Sequence, residues 1–110
     1  MSGSGHSTGE CVPDQKPVPA GAVVRVFAIG NRKGLHARAS AKFVQTVERF
    51  DADVRVTRCG ETVGGTSIMG LMMLAAAPGT SITVEATGKE AAEVIDALAA
   101  LINSRFGEDG

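Results

Sequence analysis

The chain has 110 residues, 21% of them charged, a formal net charge of −1, and neither tryptophan nor tyrosine. This length predicts one domain with a small core. The near-zero charge argues against a nucleic-acid-binding protein, and so do the four phenylalanines, which fall at core-like positions and are not interleaved with basic residues. No stretch approaches the roughly 20 apolar residues of a transmembrane helix, and no basic and apolar signal sequence is present. We therefore expect a cytoplasmic protein without membrane insertion.

The amino-terminal region differs in composition from the rest of the chain. It is rich in Gly, Ser and Pro and shows no hydrophobic periodicity, which predicts a disordered tail or leader over residues 1–21. A folded domain over residues 22–106 and a flexible carboxyl terminus over 107–110 follow. Cys11 and Cys59 are far apart and form no CxxC motif. A disulfide scaffold is therefore not expected, in keeping with a reducing cytoplasm.

The first half of the domain alternates between strand and helix patterns. VVRVFAI, at residues 23–29, is β-branched and aromatic and predicts a strand that is buried on at least one face. Across residues 37–50, apolar side chains recur at helical spacing, which predicts a helix with one face on the core. DVRVTR and ETVGG, joined by Cys59-Gly60, then predict a hairpin over residues 53–65.

The second half contains two further helices and a strand. TSIMGLMMLAAAPG, at residues 66–79, predicts a short helix that Thr66 or Ser67 caps and Pro-Gly ends. SITVEAT, at residues 81–87, alternates as a half-buried strand does, and residues 89–106 carry the apolar stripe of a helix. The order β-α-β-β-α-β-α favours a two-layer α/β (α+β) sandwich. We expect three helices on one face of a four-stranded antiparallel or mixed sheet, with a polar opposite face.

His36 stands where the turn-like GNRKG gives way to the first predicted helix. A helix N-terminus presents unpaired N–H groups and the positive end of the helix dipole, and both attract anions. The backbone amides of Ala37 and Arg38 would point at a group on His36, and the Arg38 guanidinium can form paired bonds to phosphoryl oxygens. Ala37 and Ala39 are small, which predicts clearance for a partner. The pattern therefore indicates a phosphate-accepting histidine.

Other roles for His36 stay open on the residues alone. A helix-capping or merely exposed histidine is the more frequent case. A metal site has less support, because His6 lies in the tail and no other ligands stand at useful spacing. A Cys–His nucleophile pair with Cys59 would require a proximity that the sequence does not show. An unrelated small α/β enzyme fits poorly, because there are no clustered carboxylates.

The motif GLHAR, at residues 34–38, resembles the active-site motif of the HPr family, the phosphocarriers of the phosphoenolpyruvate-dependent phosphotransferase system. The resemblance extends from about Val23 to Phe106 and implies an open-faced β-sandwich. It implies that His36 accepts a phosphoryl group on Nδ1 from phospho-Enzyme I and passes it to an enzyme IIA, assisted by Arg38. Such a carrier is expected to be bacterial and monomeric, to need no cofactor or metal, and not to be an enzyme itself.

A second motif, TSIMGLMML at residues 66–74, is similar to the regulatory stretch of the same family. By that match Ser67 is the target of an HPr kinase/phosphorylase, although serine is also a favoured N-cap. Ile68, Met69 and Met72 are implied as docking contacts for Enzyme I and enzyme IIA. Exposed apolar patches mark such sites, and flexible methionine suits a surface that serves several partners.

Ala39 departs from the pattern of the sugar-transport members, which usually carry proline at this position. The alanine form is more similar to a regulatory branch, akin to the nitrogen-related phosphotransferase system. The resemblance therefore implies a relay that controls metabolism. A sugar-transport carrier, and a purely regulatory binding module controlled through Ser67, are the alternatives.

Overall fold

The order of strands and helices predicted from the sequence is confirmed. A computed structural model describes residues 21–30, 34–74 and 79–107, and the predicted tail and carboxyl terminus lie outside these residues except for Gly21 and Gly107. The elements are β1 (Val23–Ala28), α1 (Ala37–Glu48), β2 (Asp53–Arg58), β3 (Glu61–Gly64), α2 (Ile68–Met73), β4 (Ser81–Thr87) and α3 (Ala91–Asn103), followed by a 3-10 turn (Arg105–Gly107).

The sheet is antiparallel throughout, with the strand order β1-β4-β2-β3. The central strand β4 aligns its neighbours, because Ala86 lies opposite Val23 on β1 and opposite Val54 on β2. Opposite residues of an antiparallel pair share one face of the sheet. The inward face therefore consists of alternate residues from each strand, and of the two predicted forms of the sheet the antiparallel one is observed.

The three helices and this inward face enclose the core. On α1 the predicted apolar face is confirmed, since Phe43 and Val47 are buried, while Phe50 lies beyond the helix end and is half-buried. The stripe of α3 is buried as well, except for Leu101, which is half-buried. The largest fully buried side chains are Phe43, Phe106, Ile29, Leu71, Ile82, Ile95, Leu98, Val56, Val84 and Val94.

The opposite face of the sheet is polar on its central strands and apolar at one edge. Arg55 of β2 and Glu85 of β4 lie opposite each other there. On the edge strand β1, however, Val24 and Val26 point to the same face and are 37% and 48% exposed. The prediction of a polar face is therefore wrong for β1, because alternation placed the charged residue Arg25 on the helix side, near Asp96 of α3.

The carboxyl-terminal pattern of residues 89–106 does not form one continuous helix. Helix α3 ends at Asn103, and Arg105 and Phe106 have φ angles of 56° and 57° in the left-handed region. This reversal buries the Phe106 ring, and Lys42 Nζ on α1 donates a hydrogen bond to the Phe106 carbonyl oxygen at 2.6 Å. Among the described residues, no helix is both long and apolar enough to cross a membrane.

Cys59 and Gly60 form the tight turn between β2 and β3. Their φ angles are 54° and 80°, and the pair of positive values fits a two-residue type I′ hairpin. Cys59 is disulfide-bonded. This differs from the expectation of a chain without disulfides, and the other cysteine, Cys11, lies outside the described residues.

Candidate functional site

The loop residues Gly34 and Leu35 lead into His36 at the start of α1. Gly34 has a φ of 66°, a left-handed conformation that glycine adopts readily. Its carbonyl oxygen accepts the His36 N–H at 2.9 Å. The buried Leu35 follows it, and the Leu35 carbonyl oxygen accepts a hydrogen bond from the buried Ser40 hydroxyl at 3.2 Å. The loop is thus tied to the first turn of the helix on both sides of His36.

His36 is the N-cap of α1. Its backbone is extended, with φ −77° and ψ −177°, and its carbonyl oxygen accepts the first helical hydrogen bond, from Ser40 N at 2.8 Å. The imidazole Nδ1 accepts the N–H of Arg38 at 3.3 Å, a role that Ser, Thr, Asp or Asn usually fill. Accepting this bond requires a lone pair on Nδ1. The lone pair of this nitrogen therefore faces the backbone amides of the helix N-terminus.

The neighbours of His36 differ in exposure. Ala37 and the Arg38 side chain are exposed, while Ala39 is fully buried. The prediction that Ala39 leaves clearance beside the histidine is therefore wrong, because its methyl group faces the core and only Ala37 lies on the surface. The first turn of α1 contains no acidic residue, and no described residue forms an ion pair with Arg38. The electrostatic character of the helix start is positive.

Ser67 is the N-cap of α2. Of the two residues predicted for this role, Thr66 and Ser67, it is therefore the second that caps the helix. Its hydroxyl accepts the N–H of Gly70 at 3.0 Å, and its backbone is extended, with φ −104° and ψ 101°. The side chain is exposed. The cap that the sequence suggested is therefore present, and the hydroxyl lies at the surface, where an enzyme could reach it.

Four exposed apolar side chains form a surface on α2, which we call the α2 patch. Ile68, Met69, Met72 and Met73 are 40%, 72%, 43% and 74% exposed, respectively. Only Leu71 is buried within the helix. Ile68, Met69 and Met72 were predicted as docking contacts, whereas Met73, the most exposed of the four, was not. The i, i+4 spacing from Met69 to Met73 is the signal that could have added it.

Arg58 is a second residue that sequence reasoning missed. It ends β2, and its Nη1 donates a hydrogen bond of 3.1 Å to the carbonyl oxygen of Leu74, the C-cap of α2. The alternation of β2 could have identified it. Every second residue of a strand points to the same face, so Arg58 points to the same side of the sheet as the buried Val54 and Val56. A charged residue at such a position indicates a specific partner.

The alternative chemistries of the His36 region find no support in the described residues. Since Cys59 is disulfide-bonded, it offers no thiol for a Cys–His nucleophile pair. Among residues 21–30, 34–74 and 79–107, no group of three or more His, Cys, Asp or Glu side chains could hold a metal ion. The arrangement that remains is an imidazole nitrogen directed at helix amides beside an exposed guanidinium.

Comparisons with known proteins place this arrangement in a family context. A family model described as the PTS HPr component phosphorylation site matches residues 23–104. Phosphocarrier protein HPr of Neisseria meningitidis serogroup A is 56% identical over 78 residues, which cover 71% of this chain and 88% of that protein. The Cupriavidus necator protein of the same name is 51% identical over 84 residues, 76% of this chain and 94% of the relative.

A solved structure gives the same result for the fold. The crystal structure of HPr-C-His from Thermoanaerobacter tengcongensis superposes with a TM-score of 0.77 at 39% sequence identity. The match covers 80% of this chain and 99% of that one. The antiparallel sheet with helices on one face is thus similar to the fold of that protein, nearly all of which is matched.

Proposed function

The chain belongs to the HPr family of phosphocarrier proteins of the phosphotransferase system, and from this premise we propose that His36 is its phosphoryl acceptor. In this proposal phospho-Enzyme I donates the group in the cytoplasm and an enzyme IIA removes it. The observation that carries the proposal is the direction of His36 Nδ1, which accepts the Arg38 N–H at the start of α1. The chain is then a carrier that other proteins charge and discharge, and not an enzyme.

The geometry suits transfer in both directions. The Nδ1 lone pair attacks the phosphorus of a donor phosphohistidine, and the donor nitrogen leaves with the electrons of the broken P–N bond. The Arg38 N–H is released from Nδ1, and the amides of Ala37 and Arg38 become donors to the phosphoryl oxygens. The exposed Arg38 guanidinium adds charge-assisted bonds. Phosphoryl transfer depends mainly on such positioning and charge stabilisation.

A substitution at His36 can remove the proposed acceptor role and keep the helix cap. Asparagine at this position can still cap the helix but cannot form a phosphohistidine. With labelled phosphoenolpyruvate and Enzyme I, we expect acid-labile label in the wild-type protein and none in His36→Asn or His36→Ala. His6→Ala is the matched control, because His6 is the other histidine of the chain. Label that persists in His36→Asn and disappears in His6→Ala would overturn the assignment.

We further propose that Ser67 is a regulatory phosphorylation site and that the α2 patch, chiefly Ile68, Met69 and Met72, docks Enzyme I and enzyme IIA. The exposed hydroxyl at the N-terminus of α2 supports the first part, since a phosphate is tolerated next to free amides. The exposed apolar surface that begins at the next residue supports the second part. A phosphate on Ser67 would place a dianion beside the apolar patch and weaken docking. Incubation with an HPr kinase/phosphorylase and ATP, compared with Ser67→Ala, tests this modification.

The finer proposal of a regulatory, nitrogen-type relay rests on Ala39. The experiment compares phosphoryl transfer from a nitrogen-type and from a sugar-type Enzyme I to the wild-type chain. Higher kcat/KM with the nitrogen-type donor is the expected result. A preference for the sugar-type donor would favour the sugar-transport alternative.

A further inference from the structure

The side chain of Arg58 connects the end of β2 to the end of α2. Its Nη1 donates the 3.1 Å hydrogen bond to the Leu74 carbonyl oxygen. The last turn of α2 contains no basic residue of its own. A cation beside the terminal carbonyl groups of a helix is stabilising, because it complements the negative end of the helix dipole. Arg58 therefore supplies, from a neighbouring strand, the positive charge that this helix end lacks.

Arg58 is half-buried and lies in the inward register of β2. The two preceding inward residues of β2, Val54 and Val56, belong to the core. Arg58 Nε is buried and has no hydrogen-bond partner among the described residues. A buried donor without a partner is unfavourable, and apolar replacement of buried charged groups is often neutral or stabilising. The gain from the bond to the Leu74 carbonyl oxygen is therefore offset in part by the unpartnered Nε.

Helix α2 has six residues, of which one is buried, and it packs against α1 and β3. The Ser67 hydroxyl caps the first turn, and Gly70 packs so closely on Val63 that an added Cβ would lie 2.9 Å from the Val63 Cβ. Leu71 anchors the middle of the helix in the core. At the opposite end, directly after the exposed Met72 and Met73, the Leu74 side chain is buried in the core and the Leu74 carbonyl oxygen accepts the Arg58 bond.

We infer that Arg58 is a positioning residue, which fixes the carboxyl-terminal end of α2 and so the presentation of the α2 patch to Enzyme I. The second half of this inference rests on the proposed docking function of that patch. Arg58 makes no contact with the phosphoryl group in this scheme. Its effect is on recognition, and it leaves the chemistry at His36 unchanged.

The test compares Arg58→Met with Arg55→Met in the full-length protein. Methionine keeps an unbranched apolar side chain that reaches about as far as Nε of arginine, and it removes the rest of the guanidinium. Arg55 is the matched control, because it lies on the same strand, is exposed on the opposite face, and pairs with Asp53 rather than with α2. We expect the amides of α2 to exchange with solvent about tenfold faster in Arg58→Met, with β4 unchanged. The KM of the protein as a substrate of Enzyme I should rise about fivefold at constant kcat.

Unchanged amide exchange in α2 would overturn the inference and leave the phosphocarrier proposal intact. Faster exchange with an unchanged KM would also overturn it, since the position of α2 would then not matter to Enzyme I. An equal rise of KM in Arg55→Met would show a general loss of positive charge instead. If Arg58→Met does not fold, Arg58→Lys keeps the charge without the planar fork and should give an intermediate KM. Failure of the proposed function is seen separately, as label on His36→Asn.

Discussion

Helices α1 and α2 begin in the same way but are held very differently. In each, the N-cap side chain accepts an N–H from the first turn, at 3.3 Å for His36 and 3.0 Å for Ser67. Helix α1 has 12 residues, six of them buried, whereas α2 has six residues with one buried. The first helix is fixed by the core along its length. The second is fixed at a few points and presents most of its side chains to solvent.

This difference matches the two proposed roles. An acceptor of a phosphoryl group requires a fixed geometry, because transfer depends on the placement of a few atoms. A surface that recognises several partners benefits from side chains that adapt, and methionine is the most adaptable apolar residue. The same capping device therefore serves a rigid site on α1 and an adjustable one on α2.

The largest effect is expected from the core contact of α1. Phe43 is fully buried, and Phe43→Ala should lower the free energy of unfolding by about 3–5 kcal/mol. Leu71 of α2 is equally buried, but its short helix can relax into the space, so Leu71→Ala should lose only about 2–3 kcal/mol. Urea denaturation of both variants measures the difference. A larger loss for Leu71→Ala would show that α2 is the more firmly held helix.

The next effect concerns the close approach of α2 to β3. Replacing a helical glycine by alanine usually stabilises by about 1 kcal/mol. At Gly70, however, the new Cβ would lie 2.9 Å from both the Val63 Cβ and the Ser67 Oγ. Gly70→Ala should therefore destabilise by about 1–3 kcal/mol, measured as the shift of the urea midpoint.

Two controls accompany Gly70→Ala. Gly64→Ala should be close to neutral, because an added Cβ there meets no atom within 4 Å. Adding Val63→Gly to Gly70→Ala removes both the Cβ and the Cγ1 of Val63 that the new methyl group would meet. The double variant should therefore lose less than the sum of the two single changes. Strict additivity would show that the contact with Val63 does not limit how closely α2 packs.

The sequence predicts those features that depend on neighbouring residues in the chain, and it does not predict those that depend on how helices and strands pack. The cap of α2 follows from residue type and from the adjacent helix pattern, which offered Thr66 or Ser67. A cap at His36 was only an alternative to the acceptor role, because histidine is not among the favoured N-cap residues. The inward direction of Ala39 depends on how α1 packs on the sheet, and its predicted surface role is wrong. The bond from Arg58 to Leu74 joins residues 16 positions apart and depends on the hairpin register, which residue types alone do not fix.

The third prediction compares the two caps directly. The Ser67 bond is shorter than the His36 bond, which lies near the long limit for an N–H donor. Ser67→Ala should therefore reduce the free energy of unfolding by about 1 kcal/mol, and Ser67→Asn, which can still cap, by a few tenths. His36→Ala should lose about 0.5 kcal/mol, because the core holds α1 independently of its cap. Thermal unfolding gives the order, and a larger loss at His36 would reverse the comparison.

The smallest effect on stability, and the clearest separation of stability from recognition, is expected at Met73. This side chain is 74% exposed, so Met73→Gln should change the free energy of unfolding by less than about 0.5 kcal/mol. If Enzyme I covers the α2 patch, the same change removes apolar contact and should raise KM up to about tenfold at constant kcat. Val26→Thr is the control, because Val26 is 48% exposed on the opposite face of the sheet. A KM that rises equally in both variants would mean that Enzyme I does not distinguish α2 from the rest of the surface. A rise confined to Met73→Gln would show that the helix with the fewest anchors is the one that Enzyme I contacts.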